Sequence, residues 1–328
     1  MCPDRLRCSI SVCVMKPDLF AIVLQTALLL ALAPLISGCI RNWKARLQNR
    51  RGPRVVQPYF DLIKFLRKDM VISEHASWVF SAAPYVVFIT ALLVGLMVPM
   101  VTVSAPLSLF GGVLAVVGLL ALGRFFMALG GLDPASAFGG MGSSREMTIA
   151  AIAEPALMLA IFTVAITVGS TDFSHMVASA QQSGWDLLNP AHLMAFAALF
   201  IVLLAETGRI PIDNPATHLE LTMIHEAMLL EYSGRYLALM EWGASIKQLV
   251  LMAILVNIFL PVGLAADGSA AALGLGLAIF LGKILLLSAA VVLVETVNAK
   301  LRLFRVPDLL SAAFVLATMA LLSTFIFH

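Results

Sequence analysis

Residues 79–101 read VFSAAPYVVFITALLVGLMVPMV, twenty-three residues without one charged side chain. An α-helix rises 1.5 Å per residue, so this stretch covers about 34 Å, enough to cross a hydrocarbon core of roughly 30 Å. Seven more runs of this kind follow the same pattern, at approximately 19–40, 107–130, 148–169, 192–208, 238–263, 270–297 and 307–327. The chain is 61% hydrophobic and 12% charged, with a mean hydropathy of +0.98. Soluble domains hold roughly 45–50% apolar residues. Runs of this length cross lipid as helices, which satisfy their own backbone groups. The expectation is therefore an all-α polytopic membrane protein of about eight transmembrane helices. It forms a single integral domain over residues 19–328, after an N-terminal tail at 1–18. Met15-Lys16-Pro17 reads as a more ordinary start than the residues before it.

Charge is distributed unevenly. The loop at 41–77 carries nine Lys and Arg residues, among them Arg50, Arg51 and Arg54. The connections at 131–147, 209–237 and 298–306 are also basic, whereas those around 102–106, 170–191 and 264–269 contain no Lys or Arg. The positive-inside rule makes the basic set cytoplasmic and puts both termini outside. Between the first two spans, residues 58–70 read as an interfacial amphipathic helix, with Phe60, Ile63, Leu66 and Met70 near one face. The Gly- and Ser-rich stretch 130–146 matches no phosphate-binding pattern and reads as a flexible or closely packed turn. Ile36-Ser37-Gly38-Cys39 imitates a lipoprotein cleavage site. The plainer reading is a first span that ends in small residues. No Cys-x-x-Cys pair occurs, so no iron–sulfur or zinc site is indicated, and a basic loop beside a membrane is a poor nucleic-acid site.

The densest polar segment, residues 205–241, holds five Glu and one Asp together with Arg209 and Arg235. It abuts an apolar run on each side and reads as a cytoplasmic loop. Inside the spans the charged residues are few. Lys283 falls near the middle of the seventh span, where an ammonium costs about 2.5–3.5 kcal/mol on insertion scales and needs a partner or a wet cavity. Glu154 precedes Pro155 in the fourth span, and Glu206 closes the fifth with Arg209 one helical step away. Arg124 and Lys247 read as cations near helix ends that snorkel towards water.

Three ordered motifs carry a resemblance that covers essentially all eight spans. Arg50-Arg51-Gly52-Pro53-Arg54 resembles the first-loop signature of the complex I subunit that builds the quinone chamber; Ala205-Glu206-Thr207-Gly208-Arg209 and Glu231-Tyr232-Ser233-Gly234 resemble its long cytoplasmic loop. Asn214-Pro215-Ala216-Thr217-His218 and Ser144-Arg145-Glu146 are more similar to the matching subunit of group 4 nickel–iron hydrogenases, the formate hydrogenlyase and hydrogenase-4 type. The resemblance implies a non-catalytic membrane anchor and proton-path subunit of a hydrogen-evolving hydrogenase complex in a prokaryotic cytoplasmic membrane. It implies no cofactor in this chain; the nickel–iron centre and iron–sulfur clusters belong to peripheral partner subunits, with antiporter-like subunits as membrane partners. Proton-path candidates are Glu154, Glu206, Asp213, Glu220, Glu231 and Lys283. Docking candidates are Arg50, Arg51, Arg54, Arg209 and Arg235. A quinone-chamber subunit of a complex I-like dehydrogenase is the alternative. A free-standing ion transporter is a third reading, although no inverted repeat supports it.

Overall fold

The structure, a computed structural model, describes residues 19–108, 111–183, 189–213, 223–265 and 270–327. Eight long helices dominate it: α1 (Leu19–Leu47), α3 (Trp78–Met97), α4 (Val113–Leu132), α5 (Ala137–Val168), α7 (Pro190–Glu206), α9 (Gly234–Phe259), α10 (Ala270–Val297) and α11 (Val306–Phe327). Three short ones join them: α2 (Gln57–Arg67), α6 (Phe173–Ser183) and α8 (His225–Leu229). Seven of the long helices are long and apolar enough to cross a membrane, and the protein is a multi-pass membrane protein. The eighth expected span, α7, has 17 residues, the lower limit for a bilayer.

Local chemistry sets the boundaries. Ser77 caps α3 by accepting from the Val79 N–H and is itself held by Asp133, with Oγ 2.5 Å from Oδ1. Ser136 caps α5 in the same way, and Gly169, at φ +71°, closes α5 in the left-handed conformation. Prolines 58 and 190 sit in the first turns of α2 and α7, where no backbone donor is missed. The interfacial helix expected at 58–70 is α2, three residues shorter at its end.

The bundle is organised around α9. In its membrane segment 78% of the residues are buried, against 28% for α11 at the rim. Helix α3 packs on α4 and α9, α5 packs on α4, α7 and α11, and α1 packs on α9 and α10. The two ends of the bundle separate cleanly. At one end backbone bridges Thr102↔Ala265 and Gly112↔Asp172 tie three connections together. At the other, Val71 N–H donates to Ser233 Oγ, Arg145 to the Met223 carbonyl, and Leu301 N–H to the Pro211 carbonyl. All the basic connections lie at this second end, as the charge pattern requires.

The stretch 130–146 departs from the expected turn. Only 133–136 connect the helices, and α5 begins at Ala137. The glycines there serve close packing instead of flexibility: a Cβ on Gly131 would meet Ser143 Oγ at 2.8 Å and one on Gly142 would meet Ala227 at the same distance. Small residues at helix crossings allow such approach in membranes. Local propensity pointed to a loop; tertiary contact made it helix.

Candidate functional site

Helices α4, α5, α7 and α9 converge on one guanidinium. Arg124, 4% exposed, lies eight residues from the end of α4. Its Nη1 is 2.8 Å from Glu154 Oε1 and its Nε 3.8 Å from Glu146, both on α5. Its Nη2 donates to Glu206, the last residue of α7. The other oxygen of Glu206 meets Lys247 Nζ on α9 at 2.8 Å. Each charge is thus compensated where an isolated one would cost several kcal/mol. Beside it a cavity of about 30 Å³ has mostly apolar walls, Leu120, Met127 and Met240 among them, with Thr90, Arg124, His225 and Lys247 as its polar lining; its volume is that of one or two waters.

A second cluster abuts the first through neighbouring residues of α9. Gln248, next to Lys247, accepts from Arg209 Nη2 at 2.8 Å, and Arg209 Nη1 is 3.3 Å from Glu295 on α10. Lys44 from α1 reaches the other oxygen of Glu295 at 2.7 Å. Together the clusters hold four basic groups (Arg124, Lys247, Arg209, Lys44) and four acidic ones (Glu146, Glu154, Glu206, Glu295). Towards the basic end, Asp213 is 2.8 Å from Lys300 Nζ and accepts from the Ile224 N–H at 3.2 Å. Glu226 on α8 continues the series. Burial, then the charge of Glu241, push its carboxyl up to about 7, with Arg41 opposing and Asp213 adding to the rise.

Of the sequence candidates, Glu154 and Glu206 are joined in the first cluster and Asp213 stands in the loop above it. Glu231 is exposed. Glu220 lies outside the described residues. Lys283 stands apart: its ammonium donates to the Leu260 carbonyl at the end of α9, 2.7 Å away, and meets no carboxylate among the described residues. Arg50, Arg51, Arg54 and Arg235 are exposed, as docking needs, whereas Arg209, expected beside them and beside Glu206, is buried against Glu295 and Gln248.

The snorkelling expectation for Arg124 and Lys247 is corrected. Eight residues of helix separate Arg124 from the end of α4, about 12 Å, too far for its side chain to reach water. That length was available in the sequence. Glu146, Glu295, Lys44 and Glu226 were not among the site candidates, because their partners lie far away in the chain; Arg209 and Glu295 are 86 residues apart.

The NADH dehydrogenase family pattern matches residues 19–326. Formate hydrogenlyase subunit 4 of Escherichia coli K12 is 36% identical over 92% of this chain and 97% of its own length. The chain belongs to the NADH dehydrogenase family. Within it, hydrogenase-4 component C of Escherichia coli K12 is 34% identical over 90% of this chain and 92% of its own. An NADH-quinone oxidoreductase subunit of Syntrophotalea carbinolica is 33% identical over 73% of this chain and 75% of its own. A solved chain from the membrane-bound sulfane sulfur reductase, an archaeal respiratory membrane complex, superposes with a TM-score of 0.81 at 20% identity, covering 93% of this chain and 98% of that one. That likeness shows the fold of this family member. Among the described residues no group of three or more His, Cys, Asp or Glu is placed to hold a metal ion.

Proposed function

We propose that this chain is the membrane anchor and proton-path subunit of a hydrogen-evolving nickel–iron hydrogenase complex of the formate hydrogenlyase kind. The supporting observation is the buried ionic series from Glu226 and Asp213 through Glu206 and Arg124 to Glu154, in a chain that spans 97% of formate hydrogenlyase subunit 4. Charged groups inside a membrane protein are costly unless paired or solvated, and they mark paths for ions and protons. Here they run from the basic, partner-facing end into the bundle. Electrons stay on the nickel–iron and iron–sulfur subunits, which dock over the exposed Arg50, Arg51, Arg54 and Arg235 in the cytoplasm, the membrane being the prokaryotic inner membrane. Antiporter-like subunits flank the chain within that membrane. The quinone-chamber reading draws on 33% identity to the NADH-quinone oxidoreductase relative, but over three quarters of each chain instead of nearly all.

Docking is tested by reversing charge at Arg51 and Arg54 together (Arg51→Glu, Arg54→Glu). The expected result is release of hydrogenase activity from membranes into the soluble fraction. Hydrogenase that stays bound at wild-type level removes the docking role of this loop.

A further inference from the structure

Phe304, 90% exposed, is the most open of the large apolar side chains among the described residues. It lies in the single 3₁₀ turn Leu303–Arg305, in the connection between α10 and α11, with an arginine on either side. Arg302 and Arg305 are both exposed, and neither meets a carboxylate or donates from its side chain to any described residue. Lys300, just before them, is engaged by Asp213 at 2.8 Å. Asp308 is exposed in the first turn of α11 but pairs with neither arginine. The Arg305 N–H donates to the Arg302 carbonyl at 2.8 Å. A turn closed in this way holds its end Cα atoms within about 7 Å, so two uncompensated guanidinium groups can reach the same point.

The turn sits at the membrane surface, on the lipid side of the bundle. Helix α11 has 22 residues, about 33 Å at 1.5 Å each, close to the thickness of the hydrocarbon core. It begins at Val306, so the turn before it lies at the cytoplasmic boundary, at the level of phospholipid headgroups. The two helices it joins are the most open of the long apolar set: their segments are 33% and 28% buried, against 78% for α9. Leu293 and Val297, in the last turns of α10, are exposed as well and continue the apolar surface at this end.

We propose that this turn is the binding site of one anionic phospholipid of the cytoplasmic leaflet, of the phosphatidylglycerol kind. Its phosphate lies between Arg302 and Arg305, whose guanidinium N–H groups donate to the phosphate oxygens. Phe304 lies against the glycerol and the upper acyl carbons, at the depth where aromatic rings anchor membrane proteins. The ring thus takes the lipid below the headgroup, while the cations take the charge above it. Charge also selects the lipid. Two unpaired cations attract a headgroup with net negative charge, whereas the ammonium of a zwitterionic headgroup would stand beside them. A protein partner is the weaker fit, because it would have to bring both carboxylates and an apolar pocket to a turn that lipid already reaches. The inference concerns only α10, α11 and their connection, and it holds whichever redox module the complex carries.

The test uses the intact complex, purified in detergent, stripped of lipid and returned to phosphatidylglycerol, phosphatidylethanolamine or phosphatidylcholine, with retained lipid and subunit composition read by native mass spectrometry. The wild type is expected to retain one more phosphatidylglycerol than a variant carrying Arg302→Ala and Arg305→Ala. Arg305→Ala alone should weaken that retention about tenfold, the size of one charge-assisted hydrogen bond, and Phe304→Ser should weaken it as well. Asp308→Asn should not weaken it. Equal retention of the three lipids overturns the proposal, as does a double variant that binds phosphatidylglycerol as wild type. Weaker binding in Asp308→Asn would assign the turn to a zwitterionic headgroup. Displacement by inorganic phosphate alone would reduce it to a plain anion patch, and loss of a subunit from the Phe304→Ser complex would make it a protein interface. Each of these three results also overturns the proposal.

Discussion

Glu226 and Arg124 illustrate two different uses of burial. Arg124 sits among three carboxylates and is held charged by them. For Glu226, burial first and then the charge of Glu241 raise the carboxyl from 4.5 to about 7, with Arg41 opposing. The sign of the resulting pH effect is fixed by linkage. A carboxyl whose folded value is raised binds its proton more tightly when folded, so its contribution to stability is full below about 4.5 and is lost as pH rises through about 7. Glu226→Gln is expected to flatten the fall in thermal stability of the purified protein between those values. The same slope in both proteins would show that Glu226 is ionised throughout. The sequence read Arg124 as a snorkelling cation and did not make Glu226 a candidate, because what distinguishes both is the company brought by distant segments. Gly38 makes the complementary point. Its place in a lipoprotein-like tetrapeptide has a packing reason: a Cβ there would collide with the Val55 carbonyl, so α1 and the loop before α2 could not touch.

At the level of elements, the apolar runs were readable because a membrane span needs only length and hydropathy, and the eight long helices follow them, whereas α6 and α8 fall in stretches read as connections. What composition alone missed was helix where glycine suggested loop, at the start of α5. The end of α9 is more instructive. Its last turn leaves carbonyls without helical partners, and the Lys283 ammonium from α10 takes the one at Leu260. A cation at a helix C-terminus stabilises by about 0.3–1 kcal/mol at the surface and up to ~2 when partly buried. The sequence placed Lys283 on the proton path; its geometry supports a cap for α9. Lys283→Met is accordingly expected to lower thermal stability modestly and to leave membrane-coupled turnover near wild type. Lost coupling in a well-folded variant would return Lys283 to the path.

Across the whole molecule, charge order and helix order agree. The basic connections gather at one end, and the ionic series starts there and descends between α4, α5, α7 and α9. Sequence separations of 30, 82 and 86 residues link its members, so the local spacing used in sequence reading could list Glu154 and Glu206 but could not pair them. The central claim is that this series carries protons for a redox module housed in partner subunits. The most direct measurement reconstitutes the complex in vesicles and compares wild type with Glu206→Gln. Normal assembly and normal hydrogenase activity with an artificial electron donor are expected, because that chemistry lies in the partners, together with a several-fold fall in proton-gradient formation and physiological turnover. An assembled Glu206→Gln complex that retains full gradient formation would contradict the account and leave the series a structural ion network.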